Sequence, residues 1–281
     1  MSDSLFNLDE IEPLPIFSPL PPLHTWGMNI GAGANSWAMA LGCFERGLRP
    51  DWTLFADTGS ETPETYRSVE QFAAWAAKAG WPFEVVRWIR QDGTFEPIHE
   101  NALRTGYLPS KAYNLAGCTS KWKIQPMQKW RKEHGFPRSA VAIGYDAGER
   151  ARVEAAAHRY CSSPEVDLTT EMPWYPLVAW HMNREECHII NRRWKVEVGK
   201  SSCFCCPNMR EKEWDALRAV HPDLYAIAEQ IEDGAIKAGH ADTARLFKGG
   251  YRQPGITCSC FLETDPDEMP EGSWIPKAVN E

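Results

Sequence analysis

The sequence has no apolar run near the roughly 20 residues that span a bilayer, and its N-terminus has no basic stretch followed by an apolar one. No membrane span or export signal is therefore expected, and a cytoplasmic location is. An excess of basic residues is also missing: 30 Lys and Arg face 38 Asp and Glu, for a net charge of -8. This sets aside tight nonspecific binding to DNA or RNA, whose affinity comes mainly from cations on phosphates, although a local basic groove stays open. No internal repeat is visible. Composition is that of a folded protein, with 43% hydrophobic and 24% charged residues, and 281 residues suffice for a large core with an appendage.

What is present is organised in four stretches. Residues 1–23 are a Pro-rich arm containing Pro13, Pro15, Pro19, Pro21 and Pro22. Residues 24–180 alternate strand and helix patterns. An apolar run ends at Ile30, a small-residue turn covers Gly31 to Ser36, and a helical stretch runs from Trp37 to Arg46. A second strand at Trp52 to Ala56 ends in Asp57-Thr-Gly59, and Pro63 opens a helix toward Ala79. Further strands are expected at Phe83 to Trp88 and Val141 to Tyr145, with a fifth at Tyr175 to Val178. The alternation predicts an α/β fold: a Rossmann-like parallel sheet of about five strands with helices on both faces, and ligands at the carboxyl ends of its strands. Residues 181–262 are predicted to be a helical, cysteine-rich region, and 263–281 an acidic, Pro-rich tail. The tryptophans are scattered singly along predicted elements, as core packing requires.

Gly31-Ala-Gly-Ala-Asn-Ser36 has the small residues that let backbone N–H groups approach an anion at a helix N-terminus. Arranged in order behind it are Phe55-Ala-Asp-Thr-Gly59 with Glu61 and Glu64-Thr-Tyr66, Cys118-Thr-Ser-Lys-Trp-Lys123 with Pro126, and Ile143-Gly-Tyr-Asp146. This series, over residues 25 to 221, resembles the PAPS reductase-like family of the PP-loop ATP pyrophosphatase (adenine nucleotide alpha hydrolase-like) superfamily. The resemblance implies an adenine nucleotide, ATP or PAPS/APS, on a site of Gly31, Gly33, Asn35, Ser36, Asp57, Thr58 and Gly59, with Lys123 and Arg150 for the anionic groups. The superfamily loop reads SGGxDS. Here Asn35 replaces the Asp that would help hold Mg2+, and Gly31 replaces the first Ser, which leaves ATP cleavage and binding without cleavage both open.

The sequence has nine cysteines, and in a reducing compartment their natural roles are thiols, metal ligands or catalytic groups. Cys203-Phe-Cys-Cys206 carries a C-x-x-C pair that suits a zinc or iron-sulfur centre. The segment after Cys118 resembles that of iron-sulfur sulfonucleotide reductases, with Gly117 where a second cysteine would stand. This implies Cys118 as a third ligand. Cys187 is the expected fourth; Cys258 and Cys260 are the alternatives, with Cys205 behind them. A 4Fe-4S cluster and Zn2+ both suit such thiolates.

Two enzyme readings follow from the resemblance: nucleotide-dependent sulfur transfer to an acceptor such as tRNA or DNA, and reduction of a sulfonucleotide (PAPS/APS). Each needs a nucleotide substrate and a sulfur donor or thiol reductant. A noncatalytic nucleotide-binding module with structural zinc is the third. No catalytic residue is assigned from the sequence.

Overall fold

A computed structural model of the chain describes residues 25–115, 117–154, 156, 171–199, 201–241 and 244–247. The expected arm, the tail, and Cys258 and Cys260 lie outside the described residues. Five parallel strands, β1 (Trp26–Ile30), β2 (Trp52–Asp57), β3 (Glu84–Arg87), β4 (Ser139–Ile143) and β5 (Glu171–Trp174), form one sheet in the order β3-β2-β1-β4-β5. Strand order therefore reverses between β1 and β4, which pair directly, with Gly27 opposite Val141 and Asn29 opposite Ile143. That reversal leaves a crevice at the carboxyl edge, where the crossover connections diverge to opposite faces.

Side chains alternate across the sheet with the period of two that a pleated strand imposes. Met28, Ile30, Phe55 and Ala142 meet α1 (Ala34–Glu45) and α2 (Pro63–Ala79), together with Cys187 and Ile190 of the helix Arg184–Arg193. Trp52, Leu54, Ala56 and Val141 face the other way, toward Met127 and Trp130 of the helix Gln125–Glu133. The sheet is thus the Rossmann-like α/β layer expected from the alternation. A further core, built from α3 (Ile98–Thr105), the helices Glu211–Val220 and Pro222–Lys237, and Phe247, covers the carboxyl edge beside the cysteines. Among the described residues no helix is long and apolar enough to cross a membrane.

One element differs from the pattern read in the sequence, and one segment has no strand or helix pattern assigned to it there. Residues 175–178 are not a strand: Pro176 occupies the first turn of the helix Pro176–Ala179, a position where a missing N–H costs nothing, and the fifth strand precedes it. That strand accepts Pro173 because it lies at the sheet edge. The segment around Cys118 is helical, running through Gly117–Thr119, a π-helical stretch Ser120–Ile124 and then Gln125–Glu133. The widened stretch lies just before Pro126, which lacks an N–H and would crowd the carbonyl one turn earlier in a regular α-helix.

Candidate functional site

At the carboxyl end of β1 the chain turns through Ala32, whose φ of +58° is left-handed, and enters α1. The turn is closed by Ser36, whose Oγ accepts from the Gly33 N–H at 3.1 Å and donates to the Gly33 carbonyl at 3.0 Å. Gly144 follows β4 on the other side of the reversal. A Cβ at that position would lie 3.2 Å from the Ser36 nitrogen, so a side chain could enter only by displacing the α1 backbone. A Cβ on Gly33 would lie 2.5 Å from Ser201 Oγ. Above these glycines opens a cavity of about 630 Å3, bordered by Gly31, Asn35, Lys123, Tyr145, Glu149, Arg152, Arg184 and Ser201. Its size falls in the roughly 300–1,000 Å3 range of small-molecule sites.

Asn35 is held from both ends of its amide. Nδ2 donates to Asp146 Oδ2 at 2.8 Å and to Glu149 Oε2 at 3.1 Å, and Oδ1 accepts from Arg184 Nη1 at 2.9 Å. A neutral amide is the group that can satisfy two carboxylates and a guanidinium at once. Glu149 also pairs with Arg152, whose guanidinium covers the Tyr145 ring. Two arginines thus border the cavity near the N-terminus of α1, and each can present parallel N–H donors to an anion. Arg150 lies instead on the outer surface, paired with Glu154 at 3.0 Å.

The Asp57-Thr-Gly59 turn is committed to a different corner. Arg87 donates to Asp57 Oδ2, while the Gly59 N–H and the Tyr66 hydroxyl, both at 2.8 Å, donate to Oδ1. Burial, and then the bond to Asp57, hold the Tyr66 phenol well above its ordinary pKa. The next residues pair with the cysteine loop: Glu61 bridges Cys203 in antiparallel fashion, and the Phe204 N–H donates to the Ser60 carbonyl at 2.8 Å. Three groups then converge on the buried Glu61 Oε1, namely Thr58 Oγ1 at 3.1 Å, Lys123 Nζ at 3.2 Å and Cys203 Sγ at 3.6 Å. Glu61 raises the Lys123 pKa, with the neighbouring Cys203 and Cys206 adding to the effect, against the opposing pull of burial. Burial and Glu61 push the Cys203 thiol up, and Lys123 opposes them.

Cys118, Cys203 and Cys206 pack against one hydrophobic cluster, to which the buried Cys205 belongs. Cys187 is not brought to them. It lies in the cluster beneath α1, where burial pushes its thiol up to about 12. Among the described residues no three His, Cys, Asp or Glu side chains stand close enough together to hold a metal ion as they are. Of the residues singled out in the sequence, Gly31, Gly33, Asn35, Ser36 and Lys123 border the cavity. Asp57, Thr58 and Gly59 build the corner behind it. Gly144, Glu149 and Arg184 were not among the assigned site residues. A glycine following the fourth strand is a visible cue for the first, but Arg184 is 149 residues from Asn35 and carries no local signal.

No family profile and no curated protein matches the sequence. Among solved structures the chain is similar to a phosphoadenylyl-sulfate (PAPS) reductase from Candida auris, in a phosphate complex. That likeness has 17% identity and a TM-score of 0.43, over 63% of this chain and 76% of that one. The chain is also similar to the U34-tRNA thiolase NcsA from Methanococcus maripaludis with its 4Fe-4S cluster, at 12% identity and a TM-score of 0.45, over 90% of this chain and 80% of that one.

Proposed function

We propose that the protein is an adenine-nucleotide-dependent sulfur-transfer enzyme, with nucleotide phosphates in the cavity between β1 and β4 and sulfur chemistry at Cys118, Cys203 and Cys206. The observation that carries this reading is the position of Lys123. It borders the cavity and also bonds Glu61 beside the Cys203 thiol, so one cation adjoins both the phosphate cradle and the cysteines. Backbone N–H groups at the start of α1, with Arg152 and Arg184, bind and orient the anion, while Glu149 and Asp146 would be the carboxylates to hold Mg2+ on the phosphates. The acceptor is tRNA or DNA, and the sulfur comes from a donor or is released by a thiol reductant.

A second reading, reduction of a sulfonucleotide (PAPS/APS), is favoured by Asn35. Its amide is neutral and already bonded at both ends, so residue 35 brings no charge to a metal-assisted attack on the α-phosphate. Three thiols beside one cluster suit the donor chemistry of a 4Fe-4S cluster or Zn2+, and the geometry offers Cys205 rather than Cys187 as a further thiol nearby. When bound, a cluster would supply redox or sulfide-handling chemistry, and zinc would pin the loop. The decisive experiment is calorimetry of ATP and PAPS on anaerobically purified protein, with iron, sulfide and zinc analysis. Binding that is lost in Gly33→Val, in brown protein containing iron, supports the proposal. Colourless protein with stoichiometric zinc and no turnover supports a binding module, and absence of binding to either nucleotide overturns both readings.

A further inference from the structure

A second cavity, also of about 630 Å3, opens on the other side of the helical segment that carries Cys118 and Lys123. It lies between α3, the turn Ser110–Tyr113 and residues 117–125. The segment forms a partition. Cys118, Lys121 and Trp122 face the second cavity, while Thr119, Lys123 and Met127 face the nucleotide cavity. Cys118 is fixed at this wall by its N–H, which donates to Ser110 Oγ at 2.6 Å.

The lining is aromatic and cationic. Tyr107 stacks on the His240 ring with centroids 3.6 Å apart and planes at 8° and meets the Tyr113 ring edge-on at 6.4 Å, yet remains 52% exposed, which leaves part of its ring surface to another flat ring. The Lys121 ammonium lies 3.9 Å from the Trp88 ring centroid and 4.1 Å from that of Trp122. No carboxylate of the described residues stands within ion-pair distance of it. Glu96, whose charge does act on Lys121, already accepts from Arg90, Arg104 and Asn101. The same cavity is thus lined by a cation without a close counter-ion and by a half-exposed aromatic ring. Such a pair recognises a planar ring bearing a negative group, by stacking and charge together.

We infer that this second cavity binds a planar heteroaromatic molecule with an anionic substituent, stacked on Tyr107 with its charge on Lys121, next to Cys118. The inference rests on the sulfur-transfer reading for its purpose, because the ligand would lie against the wall that carries the Cys118 thiol. The site itself is defined by its own lining.

Uridine 5′-monophosphate is a suitable probe, since its pyrimidine distinguishes it from an adenine nucleotide in the first cavity. Calorimetry of this probe on the full chain, with and without saturating ATP, is expected to show saturable binding in both conditions. Tyr107→Ala and Lys121→Gln should each weaken it about tenfold or more while leaving ATP affinity unchanged; thermal melts check that both variants fold. Absence of probe binding, wild-type affinity in either variant, or full competition by ATP overturns the inference. Probe binding with these sensitivities but no ATP binding would instead overturn the nucleotide reading and leave the second site standing.

Discussion

The cavity between β1 and β4 and the corner around Glu61 lie on either side of Lys123 and are built on opposite principles. The cavity is made by absence: Gly33 and Gly144 leave out side chains, and the charged groups at its rim are held by one another through Asn35. The corner is made by presence: a buried carboxylate gathers a lysine, a threonine and a cysteine onto one oxygen. Space that admits a ligand is lost by adding atoms. A buried charge network is damaged by removing one partner. Substitutions in the two regions should therefore fail in different ways.

The largest effect is expected from Gly144→Val. The added carbons meet the Asn35 and Ser36 backbone, so the start of α1 must move. On the proposed function, nucleotide affinity should fall by about two orders of magnitude, or ~3 kcal/mol, in calorimetry, while the metal proposed for the cysteines stays at the wild-type level. Equal loss of both would mean that the two regions are one unit. Next is Glu61→Gln, which leaves Lys123 beside a neutral partner. Lys123 is 39% exposed, so solvent screens part of the loss, and urea denaturation should show a destabilisation of about 1–3 kcal/mol. Nucleotide binding in this variant should weaken less than in Gly144→Val.

Asn35→Asp sharpens the comparison from the cavity side. Read in the sequence alone, an acid at this position restores a magnesium ligand. In the structure it sets a third carboxylate against Asp146 and Glu149 and loses both donated hydrogen bonds, with Arg184 as its own cationic partner and Arg152 already on Glu149. Stability should drop by about 1–2 kcal/mol in the absence of divalent ions and recover when Mg2+ is added; a melting curve unchanged by the substitution would contradict this packing.

The smallest effect concerns Glu96, outside both regions. The hydrogen bond from Arg104 first, then Asn101 and the charges of Arg104 and Arg90, hold its carboxyl below the usual range, against the opposing effect of burial. A depressed folded pKa means that the unfolded chain binds the proton more readily. The stabilisation is therefore complete above the unfolded value of about 4.3 and disappears as pH falls through the folded one. Wild type should exceed Glu96→Gln by about 1 kcal/mol at neutral pH, with the gap closing below about pH 4. A gap that widens on acidification would show that Glu96 is not held as an anion.

Much of the sheet was legible because strands and helices carry local periodicity. Trp52 to Ala56 reads as a strand, which the structure carries on to Asp57, and Pro63 reads as the opening of α2. The small residues from Gly31 to Ser36 likewise announce a tight turn into a helix. The strand at Tyr175 was misplaced because an apolar run of that length does not distinguish a strand from a helical turn, and Pro176 decides for the latter. The helix through Cys118 was missed because Pro126 and the polar run before it hide the period that a π-turn restores.

By itself, the sequence determined the alternating elements, the small-residue loop and the presence of a C-x-x-C pair, since each depends on residues within a turn or two of one another. Tertiary structure alone decided that Asp57 serves Arg87 and Tyr66, that Cys187 belongs beneath α1, and that Arg184 meets Asn35. Those outcomes depend on which distant segments share a strand end, and strand order is a property of the assembled sheet that local periodicity does not encode.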